Sequence, residues 1–96
     1  MKAGAFFKSF TQTIFMTQNT NSWTENDNKL SKTFTFGDFK SALIFVNKVG
    51  EIAENLGHHP EIWFTWGKVT IACSTHDDGN IITDKDRELT QKIDLI

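Results

Sequence analysis

The segment Gly57-His58-His59-Pro60 constrains the fold most, because it must end a helix and begin a strand. Glycine suits the left-handed position after a helix end, and proline forbids helical continuation and holds the preceding residue extended. Upstream, Asp38 is placed to cap a helix of about four to five turns. Its apolar residues recur every three or four positions, as on a core-facing helix side. They are Phe39, Ala42, Leu43, Val46, Val49, Ile52, Ala53 and Leu56, and Ile44 and Phe45 widen this apolar side.

A hairpin is predicted before this helix, over Trp23–Phe36. Its turn is Asn26-Asp27-Asn28, whose side chains can bond to their own backbone and tolerate left-handed conformations. After the turn, apolar residues alternate with Ser and Thr, which is the period of a half-buried strand, and Lys32 is the exception on the apolar side. The apolar members of this strand are Leu30, Phe34 and Phe36.

A second hairpin and a second helix are predicted after the corner. Ile62–Trp66 and Lys68–Thr75 are rich in β-branched and aromatic residues and are joined at a glycine, which indicates two paired strands. Thr83 and Asp86 then resemble a capping box at the start of a helix over residues 84–96.

The order hairpin, helix, hairpin, helix is typical of the α+β class. Because hairpins pair their strands antiparallel, we expect a four-stranded antiparallel sheet with both helices packed on one face. The chain has 96 residues, which fit one domain, and we assign that domain to residues 23–96.

Residues 1–22 form a segment of uncertain role, with three alternatives. A docking helix, which would add an N-terminal helix to the fold, is the alternative that we prefer. A targeting peptide is the second, since Met1–Asn21 contains no acidic residue, although it also contains no Arg. An upstream extension is the third, because Met16 could be an alternative start. The residues spaced for one helix face are Phe6, Phe7, Phe10 and Ile14.

The composition favours self-association and argues against several classes of partner. Nine Phe and three Trp exceed what a small core can hide, so we expect a homo-oligomer, a dimer or tetramer built on a two-fold contact. The net charge of −2 gives no basic footprint for nucleic acid, and no apolar run approaches a membrane span. The single cysteine, Cys73, lies in an apolar strand, which predicts a core role and a reducing, cytoplasmic compartment.

Three histidines carry the candidate chemistry. His58 and His59 leave a helix end and His76 leaves a strand, and the open ends of a hairpin are neighbours, so we expect the three to converge. Imidazole has an ordinary pKa of about 6.5, which suits proton transfer near neutral pH. Glu54 lies one turn before His58 and can orient an imidazole. A capping or surface position remains the ordinary alternative for any single histidine.

A metal centre is the other alternative for these histidines, because three imidazoles can hold zinc with an open position. Adjacent extended residues point to opposite sides, however, so His58 and His59 form poor ligand geometry and we expect no metal. The sequence also lacks a nucleophile elbow, a P-loop, a dinucleotide-binding glycine motif and a cysteine pair.

The sequence resembles the pterin-4a-carbinolamine dehydratases from Trp23 to Ile93. The signature is Glu-x3-His-His-Pro, which stands at Glu54–Pro60, followed at a fixed distance by Thr75-His76. The resemblance implies the same α+β fold and the dehydration of 4a-hydroxytetrahydrobiopterin to quinonoid dihydropterin, a step of tetrahydrobiopterin recycling. It implies no cofactor and no metal.

The resemblance also implies residue roles, with His58 and His76 as acid and base and His59 as an assisting, binding residue. The pterin is expected to rest against His58–Pro60 and Thr75–Asp78. The implied catalytic residues are His58, His59 and His76; the substrate-binding residues are His58, His59, Pro60, Thr75, His76, Asp77 and Asp78; the supporting residues are Glu54 and Asp86.

A second function comes from another class. Some animal members of this family also act as a dimerisation cofactor for a homeodomain transcription factor, so an interaction module is the alternative, and the intact histidine set favours the enzyme. The chain departs from the family pattern in residues 1–22, where the usual helix is not recognisable. It also departs in the loop after His76, where Gly79–Ile82 replaces a shorter turn.

Overall fold

The structure, a computed structural model, describes residues 22–96. Four strands form one antiparallel sheet in the order β1-β2-β4-β3, which confirms the predicted α+β class. The strands are β1 Thr24–Asn26, β2 Lys29–Thr35, β3 Glu61–Thr65 and β4 Lys68–Cys73; the helices are α1 Phe39–Leu56 and α2 Asp84–Ile93. A one-turn 3-10 helix, His76–Asp78, follows β4. The apolar face predicted for residues 6–14 lies outside the described residues.

Both helices pack on one face of the sheet. The strand register places Leu30 of β2 opposite Cys73 of β4, and Ile62 of β3 opposite Ile71 of β4. These alternate side chains meet the helices, and the core that results is buried. It consists of Leu30, Ala42, Phe45, Val49, Val69, Ile71, Cys73, Leu89 and Ile93. The cysteine is therefore a core residue, as predicted. No helix within residues 22–96 is long and apolar enough to cross a membrane.

Helix α1 begins and ends where the sequence predicts. The Asp38 carboxylate accepts a hydrogen bond of 2.8 Å from the Ser41 backbone N–H, and Gly57 has a left-handed φ of 65°. The prediction that Phe39 and Leu43 face the core was wrong, since their exposed fractions are 52% and 38%. Phe45 is buried, as predicted, whereas Ile44 is 48% exposed, because the strip of α1 that the sheet covers is narrower than the apolar stripe of the helix.

Lys32, the exception in the β2 pattern, lies on the helix-facing side beside the end of α2. Its Nζ is 3.0 Å from Asp94 Oδ1 and lies above the Phe34 ring at 5.0 Å. Trp23 Nε1 donates to the same carboxylate at 3.0 Å. The Lys32 side chain is only 13% exposed, so its amine needs a partner within the protein, and the Asp94 carboxylate is that partner. Helix α2 ends at Ile93, three residues before the predicted end, and Asp94 is its C-cap.

Replacing Asp94 by Ala should lower the free energy of unfolding by about 0.5–1.5 kcal/mol, because the Lys32 amine and the Trp23 N–H lose a solvent-accessible acceptor. In a Lys32→Met background, Asp94→Ala should lower the free energy of unfolding by less, because the Lys32 amine is no longer there to lose its acceptor. Urea unfolding of the four proteins of this cycle measures the difference. Equal costs of Asp94→Ala in the two backgrounds would show that the pair contributes nothing.

Candidate active site

The helix-to-strand corner places His58 against the first turn of α2. The His58 backbone N–H donates to the Ala53 carbonyl at 3.1 Å, which continues the bonding of α1 through the left-handed Gly57. The imidazole Nε2 then lies 2.6 Å from Asp86 Oδ1, and the side chain is only 12% exposed. Two segments that are 28 residues apart in sequence are joined by this contact.

Asp86 is fully buried and accepts hydrogen bonds from three directions. Besides His58, its Oδ2 accepts from Thr75 Oγ1 at 2.8 Å and from the Thr83 backbone N–H at 2.9 Å. The Thr83 bond is part of the capping box that the sequence predicts. Thr75 donates its only hydroxyl hydrogen to Asp86. In the contact of 2.6 Å between Thr75 Oγ1 and Thr83 Oγ1, the Thr83 hydroxyl is therefore the donor.

These contacts keep Asp86 ionised. Burial alone would raise its pKa, but the hydrogen bonds from His58, the Thr83 N–H and Thr75 outweigh burial and hold the pKa below the ordinary value of 3.8.

The pKa of the neighbouring Cys73 thiol is shifted in the opposite direction. Burial, together with the negative charge of Asp86, raises the pKa of Cys73 to about 12. Cys73 is therefore a neutral thiol at physiological pH, which excludes it as a nucleophile.

His59 and its partner lie at the surface, in contrast with His58. His59 Nε2 is 3.0 Å from Glu54 Oε1, and the two side chains are 65% and 76% exposed. An exposed pair of this kind contributes little to stability. Glu54, which the sequence predicts as an orienting carboxylate, therefore contacts His59, and the carboxylate next to His58 is Asp86.

His76 opens the one-turn helix that follows β4. Its Nδ1 lies 2.5 Å from Asn80 Oδ1, and Asn80 was not among the predicted site residues. The loop is closed by two backbone bonds, from the Asn80 N–H to the Thr75 carbonyl at 3.0 Å and from the Thr75 N–H to the Ile81 carbonyl at 2.8 Å. The side chain of His76 is thereby held at the strand exit, facing the corner.

A cleft of about 190 Å³ joins the corner to the strand exit. All three histidines line it, together with Thr75 and Asp77, whereas Pro60 is not part of its lining. Asp78 lies in the one-turn helix beside the cleft. The lining residues are Gly57, His58, His59, Ser74, Thr75, His76, Asp77 and Lys85. Within residues 22–96, no three His, Cys, Asp or Glu side chains come together as metal ligands would.

Ser74, Lys85 and Asn80 are the site residues that sequence reasoning missed. Ser74 directly precedes Thr75, and Lys85 directly precedes Asp86, so their proximity to predicted residues was the available signal. Asn80 gave a weaker signal through its position in the loop after His76. Lys85 adds a positive charge to a lining that also contains the Asp77 carboxylate.

Comparison with known proteins identifies the family. The family model described as Pterin 4 alpha carbinolamine dehydratase matches residues 7–96. The chain belongs to this family.

Relatives and solved structures agree with this assignment. A Sulfurisphaera tokodaii protein with the provisional name pterin-4-alpha-carbinolamine dehydratase is 47% identical over 72 residues, 75% of this chain and 76% of the relative. A Roseiflexus castenholzii protein of the same name is 47% identical over 74 residues, covering 77% and 78% of the two chains.

Two solved structures share the dehydratase fold. A transcriptional coactivator/pterin dehydratase from Brucella melitensis matches with a TM-score of 0.72 and 29% identity, over 76% of this chain and 79% of its own. A pterin dehydratase-like protein described as a RuBisCO assembly factor of the alpha-carboxysome matches with a TM-score of 0.67 and 25% identity, over 79% and 89%.

Replacing Asp86 by Asn should lower the free energy of unfolding at pH 7 by about 2–3 kcal/mol, because a charged, buried acceptor is lost. The pKa of Asp86 is lowered by folding, so its contribution to stability is fully present above the ordinary value of 3.8 and is lost as the pH falls through the lowered value. The gap between wild type and variant should therefore shrink below about pH 4.

Urea unfolding from pH 7 to pH 2 measures this gap. Glu88→Gln is the matched control, because it removes one exposed carboxylate from the same helix. A gap that stays constant across the acid range would contradict the ionised state that we assign to Asp86.

Proposed function

We propose that this protein dehydrates 4a-hydroxytetrahydrobiopterin, the pterin-4a-carbinolamine, to quinonoid dihydropterin and water, within tetrahydrobiopterin recycling. The observation that carries the proposal is the lining of one cleft by His58, His59 and His76, with His58 fixed by a buried carboxylate. Family membership supports the same reaction, because the matching family model and the relatives named above both carry the name dehydratase.

The reaction needs one proton donor and one proton acceptor. The C4a–O bond breaks, and the hydroxyl leaves as water if an acid protonates it. Ring-nitrogen electrons form the new double bond as a base removes a ring proton. The proton taken by the base equals the proton given by the acid, so the balance closes without a cofactor. Two imidazoles in opposite protonation states near pH 7 can perform both transfers.

We assign His58 and His76 to these two transfers and His59 to binding and assistance. The buried Asp86 carboxylate holds the His58 ring at Nε2, so Nδ1 is the His58 nitrogen that remains for proton exchange. Asp86 is thus a supporting residue, and Glu54 supports His59 in the same way at the surface. We further propose that the pterin rests against His58–Pro60 and Thr75–Asp78.

His58→Ala and His76→Ala should each lower turnover by roughly 10²–10⁴-fold, which is the usual contribution of a positioned acid or base. His59→Ala should change turnover less and weaken the apparent binding of substrate more, because its ring is largely exposed at the edge of the cleft. A spectroscopic dehydratase assay measures both effects, and circular dichroism establishes that each variant is folded. Near-wild-type rates in all three folded variants would disprove the proton-transfer assignment.

A non-catalytic interaction module is the second candidate function, and the solved relatives favour keeping it. One is named as a coactivator as well as a dehydratase, and the other as an assembly factor. Because one fold can host unrelated functions, the site must decide between them. A scaffold has no need of three histidines in one cleft, so we favour the enzyme. An inactive wild type under the dehydratase assay would favour the module.

We also propose that the protein is a cytoplasmic homo-oligomer, a dimer or tetramer formed by residues 23–96. Apolar side chains remain exposed on α1, where Phe39 and Ile44 are 52% and 48% exposed, and on the outer sheet face, where Trp63 is 67% exposed. β1 and β3 are sheet edges whose free backbone groups can pair with another copy. The free thiol of Cys73 fits a reducing compartment.

Sedimentation equilibrium at micromolar concentration should therefore show a stable oligomer, because association covers apolar surface that a single copy exposes. Ile44→Glu should shift the distribution toward smaller species if α1 forms a contact, and Gln91→Glu, which adds the same charge at an exposed position of α2, is the control. A stable and fully active monomer would overturn the proposal.

A further inference from the structure

We propose that Asn80 is a positioning residue for His76, which holds the ring so that Nε2 is its proton-accepting nitrogen. The inference rests on the proposed function, because it concerns the same cleft. It assigns a role to a residue of the lengthened loop that neither the motif nor the family resemblance supplies.

The loop geometry delivers the Asn80 side chain to the ring. Asn80 has a left-handed φ of 62°, directly after Gly79 at 85°, so the chain turns back sharply behind His76. The backbone bond from Asn80 to the Thr75 carbonyl fixes the turn to the end of the strand. The side-chain oxygen then reaches His76 Nδ1 at 2.5 Å. Both ends of this contact are therefore tied to the same closed loop.

The chemistry of the contact selects one form of the ring. An amide oxygen only accepts hydrogen bonds, so Nδ1 of His76 must carry a hydrogen. In a neutral imidazole the other nitrogen then holds the lone pair, which leaves Nε2 as the base. His58 is held in the opposite sense, because its Nε2 is bound to Asp86. The two rings thus use opposite nitrogens to face their partners.

The two partners also differ in charge. Asp86 is an ionised carboxylate, whereas the Asn80 amide is neutral. His58 therefore has an anionic partner and His76 a neutral one, and the amide contact leaves Nε2 of His76 as the nitrogen that can accept a proton. The other titratable groups that line the cleft with them are His59, Asp77 and Lys85, and the last two have opposite charges.

The test measures which ring nitrogen carries hydrogen, by long-range ¹H–¹⁵N correlation NMR of the histidine side chains at a pH where His76 is neutral. Wild type should show hydrogen on Nδ1 of His76. Asn80→Gly suits the left-handed backbone while removing the acceptor, so it should lose this preference and lower turnover about tenfold, less than loss of the base itself. Asn28→Gly is the matched control, since Asn28 has a φ of 61° in the β1–β2 turn.

Asn80→Asp keeps an oxygen acceptor at the same position, so it should retain hydrogen on Nδ1 of His76. Hydrogen on Nε2 in the wild type, or an Asn80→Gly spectrum identical to that of the wild type, would overturn the proposal whatever the activity. If the spectra behave as expected but the wild type dehydrates no pterin, the positioning role stands and the proposed function fails.

Discussion

The buried carboxylate of Asp86 is the contact on which the site depends. It joins the first turn of α2 to the end of β4 through Thr75 and to the corner after α1 through His58. A buried charge is costly unless donors surround it, and here a ring N–H, a hydroxyl and a backbone N–H do so. The bonds that keep Asp86 ionised therefore also hold the cleft walls together.

The three histidines differ in their exposure and in the partner that holds each ring. His58 is largely buried and held by a charged partner, whereas His59 is exposed and paired with an equally exposed Glu54. His76 is held by a neutral amide from its own loop. Because a proton-transfer group must keep its geometry within a few tenths of an ångström, the most firmly held ring is best suited to a defined role. The exposed ring is better suited to meeting a ligand that enters from solvent.

Membership of the dehydratase family determines the fold more strongly than the activity. One relative with the same fold is named as a transcriptional coactivator and pterin dehydratase, and another as a pterin dehydratase-like RuBisCO assembly factor. A common fold can carry such different functions because packing depends on core residues such as Ile71 and Leu89, which face away from any partner. The chemistry depends instead on the few side chains at one end of the sheet. In this chain those side chains include three histidines that line one cleft.

The helices, strands and turns were predictable from the sequence, because each depends on neighbouring residues. Gly57 and Pro60 end α1, Asp27 and Asn28 turn the first hairpin with left-handed φ values, and Thr83 with Asp86 starts α2. The return of a hairpin to its own start also made the proximity of the corner and the strand exit predictable.

The contacts between distant groups, in contrast, follow from the packing of the folded chain. That Asp86 binds His58, that Asp94 binds Lys32, and that Asn80 binds His76 depends on how the helices and the loop dock on the sheet. The exposure of Phe39 has the same origin, since periodicity shows an apolar stripe but not the part of it that the sheet covers. Local rules act over three or four residues, whereas these contacts depend on the packing of the whole core.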